Sequence, residues 1–147
     1  MGNGSVNNPQ EFQVPWPNVK AVLITHMHSD HMADLPDAHL LSWIQGRNSP
    51  LMVFGPEGIN LVTKGFELAY SADYQYRNEH HGEEILPMSV SGFNAVKIID
   101  NELIPNDTPG LEILPFLVDH HPVNSSFGFK VSYKGRTVVI SLSLIHI

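Results

Sequence analysis

At 147 residues and 42% hydrophobic content, the chain can enclose one core and is too short for two large domains. Fifteen Asp and Glu against eight Lys and Arg leave a formal charge of -7, which excludes the basic surface that gives non-specific affinity for nucleic acid. With no cysteine there are no disulfides or thiolate ligands, so any metal must be held by histidine and carboxylate, and the compartment stays open.

Residues 1–18 are rich in Asn, Gly and Pro, close on Pro15-Trp16-Pro17, and read as an N-terminal loop in which Trp16 is a packing anchor. No targeting segment is visible there, and no run approaches the ~18 apolar residues of a membrane helix, so the chain reads as soluble with no membrane partner. The run Val19-Lys20-Ala21-Val22-Leu23-Ile24 is short and β-branched, as a buried strand is. It delivers Thr25-His26-Met27-His28-Ser29-Asp30-His31, three imidazoles and a carboxylate within six residues, which a divalent cation explains most economically. In extended chain His26, His28 and Asp30 point to one side, and His31 faces a neighbouring position. One short loop cannot wrap four ligands around a single ion at tetrahedral angles, so two adjacent metals fit better than one.

Asp34-Leu35-Pro36-Asp37 has the chemistry of a helix start, Leu40, Leu41 and Ile44 recur at helical spacing, and Gly46 is a stop. His39 on this helix is expected to be an exposed side chain. A strand through Leu51-Met52-Val53-Phe54 ends at Gly55-Pro56, and a second helix is predicted from about Glu57 to about Asn78, with Ile59, Val62, Phe66 and Ala69 as its buried stripe. Gly65 weakens that helix by ~1 kcal/mol relative to Ala, which predicts close packing or a bend. Tyr70, Asp73 and Arg77 share a face, and His80-His81-Gly82 follows. Strands are predicted at 95–99 and 111–118, the latter marked by Pro115 as an edge or bulge, and it ends on Asp119-His120-His121. Residues 127–133 and 137–141 form a hairpin across Lys134-Gly135. Strands alternating with helices make this an α/β layered protein.

The order His26-x-His28-x-Asp30-His31 after an apolar strand, followed by Asp34-Leu-Pro36, Phe54-Gly-Pro56 and Val118-Asp-His120 through Phe127-Gly-Phe129, resembles the metallo-β-lactamase superfamily, in the branch of ribonuclease Z and arylsulfatase-like hydrolases. The resemblance covers 19–141 and implies an incomplete αββα sandwich with mixed β-sheets flanked by helices. It implies a first zinc site from His26, His28 and His120, with His121 as the alternative register, and a second begun by Asp30 and His31, two ions in an intact domain. Asp30 is then either a second-metal ligand or the catalytic proton acceptor, and Asp119 and His121 stand behind the ligands. Related hydrolases place a helical insertion over the metals, which makes Tyr70, His80 and His81 a substrate wall; the alternative is an Asp73–Arg77 pair with two surface histidines.

The reaction implied is hydrolysis of a phosphodiester or sulfate ester by a metal-bound hydroxide, with a lactone or β-lactam carbonyl as the alternative substrate. Family members continue from a strand like Thr137–Ser141 into Gly-Asp-Thr, whose aspartate bridges the metals, and later supply another histidine. Here Leu142–Ile147 looks like a translated sequencing-adapter read-through. Residues 142–147 are therefore expected to be non-native and the chain a fragment holding one zinc, with an inactive metal-binding piece as the third reading; His146 is not promoted to a ligand. A basic arm for transfer RNA is absent from the sequence, and oligomeric state is not legible.

Overall fold

The computed structural model describes residues 2, 4–7 and 14–142; the expected tail beyond Leu142, with His146, lies outside the described residues. Among the described residues nine β-strands and α-helices follow in order: β1 (Ala21–Leu23), α1 (Leu35–Ile44), β2 (Leu51–Gly55), α2 (Ile59–Ala69), α3 (Ser71–His81), β3 (Phe93–Lys97), β4 (Glu112–Leu117), β5 (Phe127–Tyr133) and β6 (Arg136–Ile140). β1, β2 and β3 form a parallel sheet in that order, and β4, β5 and β6 an antiparallel one. The mixture of strand directions is thus divided between two sheets. No helix among the described residues is long and apolar enough to cross a membrane.

Strand alternation explains the layering. On β1, Val22 faces the helices and joins Ile24, Leu35, Leu51, Val53 and Ile59 in one core, while Ala21 and Leu23 face the other sheet and pack with Phe54, Ile98, Ile104, Phe127 and Phe129. Helices, parallel sheet and antiparallel sheet are therefore stacked in three layers, three of the four that an αββα sandwich has. At the margins of the second sheet Leu117, Val138, Val139 and Ile140 are each more than half exposed. Within the second sheet the strands crowd together at Gly128 on β5, where a Cβ would lie 2.4 Å from Phe116 Cζ on β4 and 2.9 Å from the Ile140 carbonyl oxygen on β6. Any larger residue there would push β4 or β6 away from β5.

Several local expectations are corrected. His39 is fully buried rather than exposed, because α1 is covered nearly all round: Leu35, Pro36, Ala38, His39, Ser42 and Trp43 are its buried residues. The single long helix is two, α2 and α3, broken at Tyr70. Gly65 is neither close-packed nor a bend, since a Cβ there would meet nothing within 4 Å. Ala69 is exposed and Thr63 takes the buried place expected of it. Other features match: Trp16 is 2% exposed, β4 with Pro115 is an edge strand, and the hairpin turns on Lys134 and Gly135, both at positive φ.

Between α1, α3 and the segment before β3 lies a third core of Trp43, Tyr74 and Leu86. His39 Nδ1 sits 3.2 Å from the Tyr74 hydroxyl, and its ring stacks on Phe93 with centroids 3.8 Å apart. Beside it the Arg47 guanidinium donates to the carbonyls of Ser49, Ser91 and Gly92. Burial first, and the Arg47 charge second, push the His39 imidazole down to about 4.

Candidate metal centre

The parallel strands β1 and β2 run side by side toward one end of the sheet, and the chain leaving β1 there is still extended when it reaches the histidines. The Ile24 amide donates to the Phe54 carbonyl (2.8 Å), extending the pairing one step past β1. The next carbonyl, of Thr25, accepts from the Phe127 amide (2.9 Å), and the Val118 amide donates to the Ser126 carbonyl (2.9 Å). These bonds tie the end of β1 to the loop joining β4 and β5, so that two segments nearly a hundred residues apart in sequence share one corner. A tight turn, closed by the Val123 amide on the His120 carbonyl (2.8 Å), sets His120 in that loop.

The result is a group of three imidazoles: one ligand atom from each of His26, His28 and His120, all within 4.8 Å of one another. His26 Nε2 and His28 Nδ1 are 3.0 Å apart, and the ring centroids of His120 stand 4.7 Å from His26 and 5.4 Å from His28. With metal–nitrogen bonds of 2.0–2.1 Å, tetrahedral ligand atoms are separated by about 3.3 Å, so the three nitrogens need only small adjustments to share one ion. The donor set therefore fits a divalent metal with an open fourth position. Thr25 Oγ1 lies 3.0 Å from His26 Nδ1; with the proton on Nδ1, that bond orients the ring and leaves Nε2 as the ligand. Burial, then the neighbouring His31, His28 and His120, push His26 down to about 4 despite the opposing effect of Asp30. His26 is therefore neutral at pH 7 and offers a lone pair without first losing a proton.

The remaining sequence candidates fall in four places. His31 packs its ring 4.2 Å from His26, and its Nε2 is 3.5 Å from the Asp30 carboxylate, itself largely exposed; both stand beside the three-imidazole group. His121 is exposed, and Asp119 accepts a hydrogen bond from its backbone amide (3.3 Å). Tyr70 packs on the Trp43 core with its hydroxyl pushed up by burial and by Asp37 and Asp73. His80 and His81 are exposed at the end of α3 with rings 4.6 Å apart, and Asp73 pairs with Arg77 at 2.7 Å.

Two features of the site escaped sequence reasoning. The Val6 amide donates to Asp34 Oδ2 (3.1 Å), tying the N-terminal segment to the residue that opens α1 just after the metal loop. A cleft of about 460 Å³ lined by Ser29, Asp30, Met32, Ala33 and Phe66 lies between the metal loop and α2. Phe66 was legible only as a member of the core stripe, because periodicity cannot separate a covered aromatic from one that lines a cleft.

A family model described as the metallo-beta-lactamase superfamily matches residues 4–141. The chain belongs to that superfamily. Among its relatives, a ribonuclease Z from Mycolicibacterium gilvum is 30% identical over 143 residues, which cover 95% of this chain and 48% of the relative. The chain thus spans about half the length of the curated relatives it matches. Two solved structures share the fold. The metallo-beta-lactamase fold protein YhfI from Bacillus subtilis has a TM-score of 0.60 at 16% identity, covering 95% of this chain and 47% of that one. The short form of human tRNase Z has a TM-score of 0.57 at 20% identity, covering 95% and 54%.

Proposed function

We propose that the chain is a zinc-dependent hydrolase of phosphodiester bonds, with sulfate esters as the related substrate class. The observation that carries this reading is the convergence of His26, His28 and His120. Three imidazoles with an open fourth position are the ligand set of catalytic rather than structural zinc. Bound there, zinc would supply hydroxide at neutral pH by lowering the pKa of its water from about 15.7 to about 7. The chain's own residues would do the rest: Thr25 holds the His26 ring, His28 and His120 close the triangle, and Asp30 would accept the proton that the water loses on becoming hydroxide. With His31, Asp30 also marks where a second ion would gather. A phosphodiester is favoured over a carbonyl because the matching relatives carry the name ribonuclease Z.

The test is a panel of chromogenic substrates given to the zinc-loaded protein: bis-p-nitrophenyl phosphate, p-nitrophenyl sulfate, a homoserine lactone and nitrocefin. The expected result is turnover of the diester that chelation abolishes, added zinc restores, and His28→Ala removes by at least about a hundredfold, since the hydroxide and its charge stabilisation go together. Turnover of lactone or nitrocefin alone would move the reading to the carbonyl hydrolases. Zinc bound with no turnover of any of the four would reduce the chain to a metal-binding piece.

A further inference from the structure

On the reading of the metal centre as a phosphodiester hydrolase, on which this inference rests, we propose that the cleft between the metal loop and α2 seats the nucleobase next to the scissile phosphate, with Phe66 as its stacking surface. Asp30 forms part of the cleft wall and also stands 3.5 Å from His31, whose ring packs on His26. A group attached to a phosphate held at the imidazoles therefore reaches the cleft without leaving the protein surface. The volume, about 460 Å³, is that of a small-molecule site.

The lining chooses the occupant. Met32, Ala33 and Phe66 are apolar, and both Phe66 and Met32 are half-buried against the Val22–Ile59 core, which holds their exposed faces in place. An anion gains nothing from such walls and is repelled by Asp30, whereas a flat uncharged ring gains a stacking partner. At the polar rim the Ser29 hydroxyl and the Asp30 carboxylate match the edge of a base, the carboxylate accepting from an exocyclic amine. The overall charge adds to the argument. A chain of net charge -7 cannot draw its affinity for a nucleotide from counterion release, so the metal and the base must supply it.

The experiment labels the methionine methyl groups of the zinc-loaded full chain and titrates it with adenosine 5′-monophosphate and, separately, ribose 5-phosphate, which lacks only the base. Stacking worth about 1–3 kcal/mol per base corresponds to a roughly 5- to 150-fold preference for the nucleotide, accompanied by a shift of the Met32 methyl signal. Phe66→Leu, which keeps apolar packing and loses the ring, should bring the nucleotide down to the affinity of ribose 5-phosphate, while Phe66→Tyr keeps the preference. Ala33→Leu, which fills the cleft from the loop side, should do the same as Phe66→Leu without touching the core. Equal binding of the two ligands by the unmodified chain, or a preference that survives both Phe66→Leu and Ala33→Leu, overturns the proposal. His28-dependent turnover of bis-p-nitrophenyl phosphate with no base preference would sink the cleft and leave the hydrolase standing. Base-selective binding lost in both variants, in a protein that turns over no diester, would uphold the cleft and sink the hydrolase.

Discussion

His120→Ala is expected to lower zinc affinity by at least about a hundredfold, more than removal of a hydrogen bond behind a ligand, which typically costs 10- to 100-fold. The three nitrogens lie within 4.8 Å of one another, so deleting one leaves two imidazoles, too few to hold zinc against water. Thr25→Val removes the hydroxyl facing His26 Nδ1 and should cost about tenfold. His121→Ala, next along the chain and exposed, should change nothing. Isothermal titration with zinc gives all three values and the number of ions bound, expected near one per chain. If His121→Ala lost as much affinity as His120→Ala, the register of the second loop would be wrong.

Acid should weaken the fold through His39, which is not among the three grouped imidazoles. Its imidazole sits at about 4 in the folded chain because of burial and the Arg47 charge, against an ordinary 6.5 when unfolded. Between those two values the unfolded chain binds a proton that the folded chain refuses, so stability is full above pH 6.5 and falls as the pH drops toward 4. A difference of that size is worth about 3 kcal/mol for this one residue, a large share of a small domain's stability. Urea unfolding of the metal-free protein at intervals from pH 7.5 to 4.5 should show the loss, and His39→Gln should flatten it. His26 titrates in the same window, so the difference between the two curves, rather than either alone, isolates His39. Parallel curves would overturn the assignment. If the variant does not fold, the His39 ring signals of the unmodified protein give the same answer by remaining neutral down to pH 5.

The unequal legibility of the sequence follows from where information is local. The cluster His26, His28, Asp30, His31 was readable because its residues are adjacent and follow a strand whose apolar run is unmistakable. His120 was reachable only through family resemblance, since nothing about a lone strand-end histidine says which distant loop it meets; the hydrogen bonds of Thr25 and Phe127 that bring it there belong to the tertiary fold. His39 was misplaced because Leu40, Leu41 and Ile44 look like one apolar face, whereas α1 is packed on nearly every side and takes a polar ring into its core by giving it Tyr74 and Phe93. The break at Tyr70 has no glycine or proline to announce it. There the Ser71 hydroxyl donates to the Leu68 carbonyl (2.9 Å), a local bond that competes with helix continuation.

The outer strand β6 makes ionic strength and protein concentration matter to how this chain behaves in solution. Its outer edge carries no strand among the described residues, and Val138, Val139 and Ile140 expose apolar groups on both of its faces. Such an edge is a template for another strand. The net charge of -7 opposes the approach of a second copy, and salt screens that repulsion while leaving the apolar attraction intact. Sedimentation should therefore show the chain associating more strongly in 500 mM than in 50 mM sodium chloride, the reverse of what a contact held by opposite charges would do.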